Sequence, residues 1–189
     1  RHPPILPSQP CNSAGGYSTV LAPDKSLQSK HFKIKSITGI AGKHFRGLRD
    51  EITKGFGVRY AYDADTEEVI EQYYPITQDG QIVGYKIREV PKNFYSKGRT
   101  GADCELFMQF KFNRGGKYIM ITEGELDALS AYQMFADYNK TRGGDYEMAV
   151  VSPTTGANSY KQIAAQYAFF NTFDQIFNLN TDFWNATKA

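Results

Sequence analysis

The chain has 189 residues, of which 41% are hydrophobic, and a formal net charge of +2 at pH 7. This length allows one domain with a substantial core, or one domain with a small appended subdomain. No stretch approaches the about 20 consecutive apolar residues that a membrane helix needs, and the first four residues lack the apolar core of a signal peptide. These features predict a soluble, intracellular protein without membrane partners.

The two cysteines, Cys11 and Cys104, are isolated in the sequence. Neither belongs to a Cys-x-x-Cys motif or a Cys/His cluster, so the spacing supports neither a disulfide framework nor a zinc site. We therefore expect no zinc in this chain.

The basic and acidic residues are concentrated in different parts of the chain. Residues 25–60 carry nine Lys or Arg against two Asp or Glu, whereas residues 123–189 carry eight acidic residues against four basic ones. Such a division suits an enzyme that pairs a polyanion with metal ions. The alternative is that most of these charges are simply solvated surface.

The first part of the chain, residues 1–38, contains four prolines within its first ten residues and then a glycine pair. No periodic apolar pattern occurs there, so we expect a Pro/Gly-rich and basic arm or linker. Because the chain begins at Arg rather than Met, we expect it to be a piece of a larger protein, with the arm as a former tether.

The next segments predict a short helix and a small antiparallel sheet. The spacing of Phe45, Leu48 and Ile52 predicts a basic helix over residues 43–54. Runs rich in β-branched and aromatic residues predict strands over 58–62, 69–76 and 81–89. The Asp-Gly pair between the last two strands is a strong hairpin signal.

After residue 116 the pattern changes to alternating strands and helices. Strands are predicted over 117–122, 148–152 and 174–179, and helices over 124–138 and 159–170. This alternation is typical of an α/β layer with parallel strands. Such layers place their chemistry at the carboxyl ends of the strands.

Two carboxylates follow the first of these strands. Glu123 and Asp127 are separated by one helical turn, and Gly124 between them allows close approach of a phosphate or metal to the backbone. The alternative is an ordinary helix start with acidic residues in its first turn.

The order of these segments resembles a known family. A strand, a Glu-Gly-x-x-Asp motif and a helix are similar to the first half of a TOPRIM domain. Residues 39–189 resemble the primase half of the primase-helicases of T-odd bacteriophages and of their mitochondrial relative Twinkle. The most specific stretches are 79–88, 92–94, 115–125 and 150–157.

The resemblance implies an α/β fold and a division of the chain. A small basic α+β subdomain would span 39–100, and a truncated TOPRIM subdomain would span 101–189. The implied activity is that of a DNA primase, which makes RNA primers on a single-stranded DNA template from ribonucleoside triphosphates with Mg²⁺ or Mn²⁺. The implied partners also include a helicase domain or a replisome polymerase, in an infected bacterial cytoplasm or, for a eukaryotic relative, a mitochondrion.

The same resemblance implies roles for individual residues. Glu123 would activate the attacking hydroxyl or hold a divalent metal, and Asp127 would support the metal cluster. Lys86 and Arg88 would face the active site and neutralise phosphate charge. The alternative for both cations is simple alternation on an exposed strand face.

Further basic residues, Lys92, Lys97 and Arg99, extend this run and are candidates for nucleic-acid binding. The neighbouring aromatic residues could stack on bases, or they could be ordinary buried or edge-strand residues. The loop over 152–158 offers hydroxyls and amides for a phosphate, or it is an ordinary turn.

The family's Asp-x-Asp pair is incomplete in this sequence. The corresponding positions are Thr181 and Phe183 or, after a one-residue shift, Asn180 and Asp182. Asp182 is therefore the one remaining candidate as a further metal ligand, and metal affinity should suffer.

Two alternatives to a primase remain. The first is a catalytically degenerate module that binds single-stranded DNA. The second is a TOPRIM nuclease, but the order of the basic segments argues against it.

Overall fold

The computed structural model describes residues 45–63, 65–156 and 159–179. The predicted arm over 1–38 and the candidate metal ligand Asp182 lie outside the described residues. The helices are α1 (Asp50–Gly55), α2 (Glu125–Arg142), α3 (Ser159–Ala165) and α4 (Tyr167–Phe170). The strands are β1 (Arg59–Tyr62), β2 (Val69–Gln78), β3 (Gln81–Glu89), β4 (Asn93–Gly98), β5 (Gly116–Ile121), β6 (Ala149–Val151) and β7 (Phe173–Asn178).

The first four strands form an antiparallel sheet in the order β1-β2-β3-β4. The predicted hairpin joins β2 to β3, and both residues of its turn have left-handed backbone angles, with φ of 51° at Asp79 and 71° at Gly80. Strand β4 was not predicted from the sequence. Five of its six residues are exposed, so its sequence carries no alternating apolar signal.

The last three strands form a parallel sheet in the order β6-β5-β7, so β5 is central. Helix α2 connects β5 to β6, and α3 and α4 connect β6 to β7. The chain at Phe107 pairs with Ser152 just beyond β6, through two backbone hydrogen bonds. The α/β class expected from the sequence is confirmed.

One core is shared by the two sheets. Its buried members include Phe56 and Tyr74 from the antiparallel part and Phe107, Ile119 and Leu129 from the later part. The rings of Tyr74 and Phe107 meet edge to face, with centroids 5.7 Å apart. The antiparallel sheet is therefore fixed against the parallel sheet by apolar packing.

Two predicted helices differ from the structure. Within the described residues of the range 43–54, the expected α-helix forms only as α1, because Arg46 and Gly47 have φ of 53° and 77° and interrupt the helical path. The helix expected over 159–170 is divided into α3 and α4, with Gln166 as the N-cap of the second. None of the described helices is long and apolar enough to cross a membrane.

Candidate functional site

The start of α2 presents two exposed carboxylates at the carboxyl edge of the parallel sheet. Glu123 and Asp127 are both exposed, and Gly124 is the extended N-cap residue of α2. A Cβ atom at Gly124 would lie 3.3 Å from Oδ2 of Asp127, so glycine leaves room beside this carboxylate. Buried Thr122 fixes the turn, since its hydroxyl donates to the carbonyl oxygen of Gly124 at 3.2 Å.

A third carboxylate of the same turn points the other way and is buried. Glu125 is 4% exposed, and its Oε1 lies 2.8 Å from Nζ of Lys86 on β3. The Lys86 side chain is 17% exposed. This ion pair joins the basic strand to the first turn of α2. Glu125 was not among the site residues predicted from the sequence. The available signal was its helical spacing from Ala128 and Leu129, both of which are buried, because a buried acid requires a cation.

The inner face of the antiparallel sheet is defined here by Gln72, Tyr74, Lys86, Arg88 and Phe94. The strand register places Tyr74 opposite Lys86 and Gln72 opposite Arg88, while Phe94 lies opposite Arg88 on the other side. Burial raises the pKa of the Tyr74 hydroxyl, and the charge of Glu125 raises it further, whereas Arg88 lowers it. Lys86, Arg88 and the start of α2 are therefore brought together.

The guanidinium of Arg88 is buried without a carboxylate. Arg88 is 6% exposed, and its Nη2 donates to the carbonyl oxygen of Pro91 at 3.4 Å. Within the part of the chain that the structure describes, its Nε has no hydrogen-bond partner. Among the described residues, no carboxylate lies within ion-pair distance of Arg88.

The other predicted basic residues are not on the inner face. Lys92 is exposed in the turn between β3 and β4. Lys97 is opposite Tyr85 in the register, and its Nζ lies 5.7 Å from the ring centroid of Tyr95. Arg99 forms an exposed ion pair with Asp103. The five predicted basic residues thus do not form one surface.

The outer face of the sheet is defined here by Glu71, Tyr73, Tyr85, Tyr95 and Lys97. The hydroxyls of Tyr73 and Tyr95 both donate to the Glu71 carboxylate. Burial acts to raise the pKa of Glu71, but the two hydroxyls and the charge of Lys97 lower it below its usual range. Burial and the same carboxylate raise the pKa of Tyr95 to about 12.

The loop after β6 is held by a buried amide. Gln162 is fully buried, and its Oε1 accepts the backbone N–H of Thr154 at 2.8 Å. The hydroxyls of Thr154 and Thr155 lie 3.3 Å from the same oxygen. Its Nε2 donates to the carbonyl oxygens of Cys104 and Glu105 at 3.2 and 3.0 Å. These polar groups of the loop therefore already have protein partners.

The carboxylates of the site fit a magnesium ion by their chemistry. Mg²⁺ is commonly held by one or two carboxylates together with water and substrate phosphates. Glu123 and Asp127 are exposed and can supply these oxygens, whereas Glu125 is engaged by Lys86. Over the part of the chain that the structure describes, no three His, Cys, Asp or Glu side chains converge as a metal site.

Comparison with known proteins finds similarity to phage replication proteins. No family model matches the chain. It is 38% identical over 100 residues to the DNA helicase/primase of Enterobacteria phage T3, which corresponds to 52% of this chain and 16% of that relative. The chain thus spans about one sixth of the length of that curated relative.

Two solved structures have a similar fold. The crystal structure of the primase fragment of the bacteriophage T7 primase-helicase aligns with a TM-score of 0.60 and 31% identity, covering 76% of this chain and 56% of that chain. The second is the structure of the T7 lagging-strand DNA polymerase interacting with primase domains of two gp4 subunits bound to an RNA/DNA hybrid and dTTP. It aligns with a TM-score of 0.59 and 31% identity, covering 76% and 68% of the two chains.

Proposed function

Since this chain is homologous to the helicase/primase of phage T3 and to the primase fragment of the T7 primase-helicase, we propose that it is a DNA primase core acting in phage DNA replication. It would join ribonucleotides into short primers on single-stranded DNA by metal-dependent nucleotidyl transfer. The observation that carries the proposal is the buried ion pair between Lys86 and Glu125. This pair supports a single site, in which the basic strand β3 lies beside Glu123 and Asp127, the two exposed carboxylates at the start of α2.

The proposed roles of the residues follow from their positions. Glu123 would accept the proton of the attacking hydroxyl or bind the metal, because it is exposed at the end of β5. Lys86 would be held at the site by Glu125, and Arg88 would contribute the positive charge that is not paired with a carboxylate. Phosphoryl transfer depends mainly on such positioning and electrostatic stabilisation.

The proposed metal ligands are Glu123, Asp127 and, from outside the described residues, Asp182. When bound, Mg²⁺ or Mn²⁺ would offset the charge of the triphosphate and of the leaving group. The two exposed carboxylates support this proposal by their hard oxygen atoms and by their separation of one helical turn.

The proposed partners are a single-stranded DNA template and ribonucleoside triphosphates, together with a helicase domain or a replisome polymerase. The proposed location is the cytoplasm of an infected bacterium. We also propose that the division near residue 100 is one of function, in which residues 39–100 supply nucleic-acid contacts and residues 101–189 supply the carboxylates.

A binding module without synthesis is the second candidate function. The incomplete Asp-x-Asp pair favours it, because at most one carboxylate remains among Asn180, Thr181, Asp182 and Phe183. Such a module would still bind single-stranded DNA through its cations, with affinity that falls as salt rises.

The experiment that separates these functions is extension of a labelled dinucleotide on single-stranded DNA with Mg²⁺ or Mn²⁺. Glu123→Gln should lower the rate at least about 100-fold, as expected for loss of a general base or metal ligand. Asp145→Asn is the control, because Asp145 is an exposed acid in the loop that follows α2. No synthesis by the wild-type chain, with salt-sensitive DNA binding unchanged in Glu123→Gln, would instead identify a binding module.

A further inference from the structure

Three aromatic residues near the basic strand differ in their accessibility. Tyr85 is 3% exposed, and the hydroxyl of Tyr95 is bound to Glu71 on the outer face. Phe94 is 46% exposed on the edge strand β4. The structure therefore leaves one of these three rings open to a ligand.

The accessible ring lies beside two cations. Nζ of Lys86 and Cζ of Arg88 are 5.6 and 5.9 Å from the centroid of the Phe94 ring. Single exposed apolar residues are ordinary in proteins, so exposure alone assigns no role to this ring. An aromatic face next to positive charge is, however, the arrangement that proteins use to bind a nucleobase and its phosphate.

The second observation is the unsatisfied guanidinium of Arg88. Lys86 is neutralised by Glu125, whereas Arg88 has neutral neighbours: the carbonyl oxygen of Pro91, the hydroxyl of Tyr74 and the ring of Phe94. Among the described residues, its Nε has no hydrogen-bond partner. A buried cation without an anion is costly, and an Arg side chain is well suited to a phosphate. Gln72, opposite Arg88 on β2, likewise has a buried Nε2 without a partner. Two neighbouring donors of this row, Nε of Arg88 and Nε2 of Gln72, thus have no acceptor among the described residues.

We propose that Phe94 is a stacking platform for one nucleobase and that Arg88 donates hydrogen bonds to a phosphate of the same nucleotide or of its neighbour in the strand. This inference deepens the proposed function, because it rests on a nucleotide ligand at the same site. The base could belong to a free nucleoside triphosphate or to single-stranded DNA, and the two sources share the same chemistry.

The first test measures affinity for a fluorescent oligo-dT and for an abasic oligomer of equal length and charge. Phe94→Leu should weaken oligo-dT binding about 5- to 150-fold, the range for loss of one stacked base, and leave abasic binding unchanged. The salt dependence should also be unchanged, because no charge is removed. Tyr138→Leu is the control: Tyr138 is 58% exposed with Arg142 beside it, 5.4 Å from its ring, in the distal half of α2.

The second test detects stacking directly. Trp184 is the one tryptophan of the chain, so Phe94→Trp is made in a Trp184→Phe background. Oligo-dT or a ribonucleoside triphosphate should quench the new fluorescence, and inorganic triphosphate should not. Quenching by the free nucleotide assigns the base to the substrate, and quenching by the oligomer alone assigns it to the template.

Two results would overturn the proposal: equal loss of oligo-dT and abasic binding in Phe94→Leu, or no loss of either. The stacking platform and the primase activity can fail independently of each other. Base-dependent binding that requires Phe94, in a chain that makes no primers, would support the platform and reject the primase. Primer synthesis with an unchanged KM and unchanged oligo-dT affinity in Phe94→Leu would reject the platform and support the primase.

Discussion

On both faces of the antiparallel sheet a carboxylate lies among hydrogen-bond donors, but those donors differ. On the inner face, Glu125 of α2 forms an ion pair with the ammonium group of Lys86. The Glu125 side chain is 5% exposed and the Lys86 side chain is 17% exposed. On the outer face, Glu71 accepts hydrogen bonds from two neutral tyrosine hydroxyls and interacts with the charge of Lys97. Two chemically similar acids are thus stabilised in different ways.

The difference determines which face retains positive charge. Glu125 offsets Lys86, so Arg88 remains as an uncompensated cation on the inner face. On the outer face the charge of Lys97 helps to lower the pKa of Glu71, and Glu89 adds a second carboxylate directly opposite Glu71. We infer that strand alternation separates a nucleic-acid side of the sheet from a side that mainly stabilises the fold.

The largest expected effect is that of breaking the inner ion pair. Glu125→Ala should lower the free energy of unfolding by about 3 kcal/mol or more, because it leaves the ammonium group of Lys86 buried without a partner. Urea unfolding measures this loss. The double variant Lys86→Met/Glu125→Leu should be more stable than Glu125→Ala; if it is equally unstable, packing rather than charge explains the loss.

A smaller decrease in the free energy of unfolding should follow from a substitution that pushes β4 away from β3. A Cβ atom at Gly84 would lie 2.4 Å from the carbonyl oxygen of Arg99 and 2.8 Å from that of Lys97. Gly84→Ala should therefore cost about 1–3 kcal/mol and disturb the strand that carries both Phe94 and Lys97. Thermal unfolding provides the measurement. Gly55→Ala is the control, since nothing lies within 4 Å of its added Cβ atom, and no destabilisation is expected there.

The pH dependence of the free energy of unfolding should reveal the contribution of Glu71, the carboxylate held by the two tyrosines of the outer face. Because the pKa of Glu71 is lowered in the folded protein, its contribution is present above its unfolded pKa and is lost as pH falls through the lower folded value. Urea unfolding between pH 3 and pH 7 should therefore show that the free energy of unfolding falls less at acid pH in Glu71→Gln than in the wild type. An identical acid dependence in both proteins would contradict this assignment.

The smallest effect is expected from Lys97. Arg88→Gln should reduce the slope of log affinity against log salt for single-stranded DNA by about one phosphate contact. Lys97→Gln should change that slope little, because Lys97 lies on the outer face. Fluorescence anisotropy at several salt concentrations gives both slopes. A larger change in Lys97→Gln would mean that the nucleic acid follows the outer face.

Sequence patterns predicted the elements with strong local signals. The strand Gln81–Glu89 was predicted at its observed bounds, and the helix predicted over 124–138 corresponds to α2, whose Leu129 is buried in the core. Strand β4 was missed because it depends on backbone pairing with β3 rather than on its own pattern.

The site was predicted only as a set of residue types. The sequence identified Glu123, Asp127, Lys86 and Arg88 as candidates, but it could not show that Glu125 engages Lys86. That contact joins residues 39 positions apart and depends on the packing of α2 against the sheet. The roles of all these residues stay predictions, as does that of Asp182.

The buried amide of Gln162 has a consequence for how this chain can diverge. Its oxygen accepts from the loop after β6, and its nitrogen donates to Cys104 and Glu105, while the N–H of Glu105 bonds to the carbonyl oxygen of Thr77 at the end of β2. No other side chain of similar length offers a strong acceptor and two donors, since ionised glutamate lacks the donors and methionine has only a weakly accepting sulfur. We therefore expect random mutagenesis with selection for folding to retain glutamine at this position, while the exposed residues around it vary.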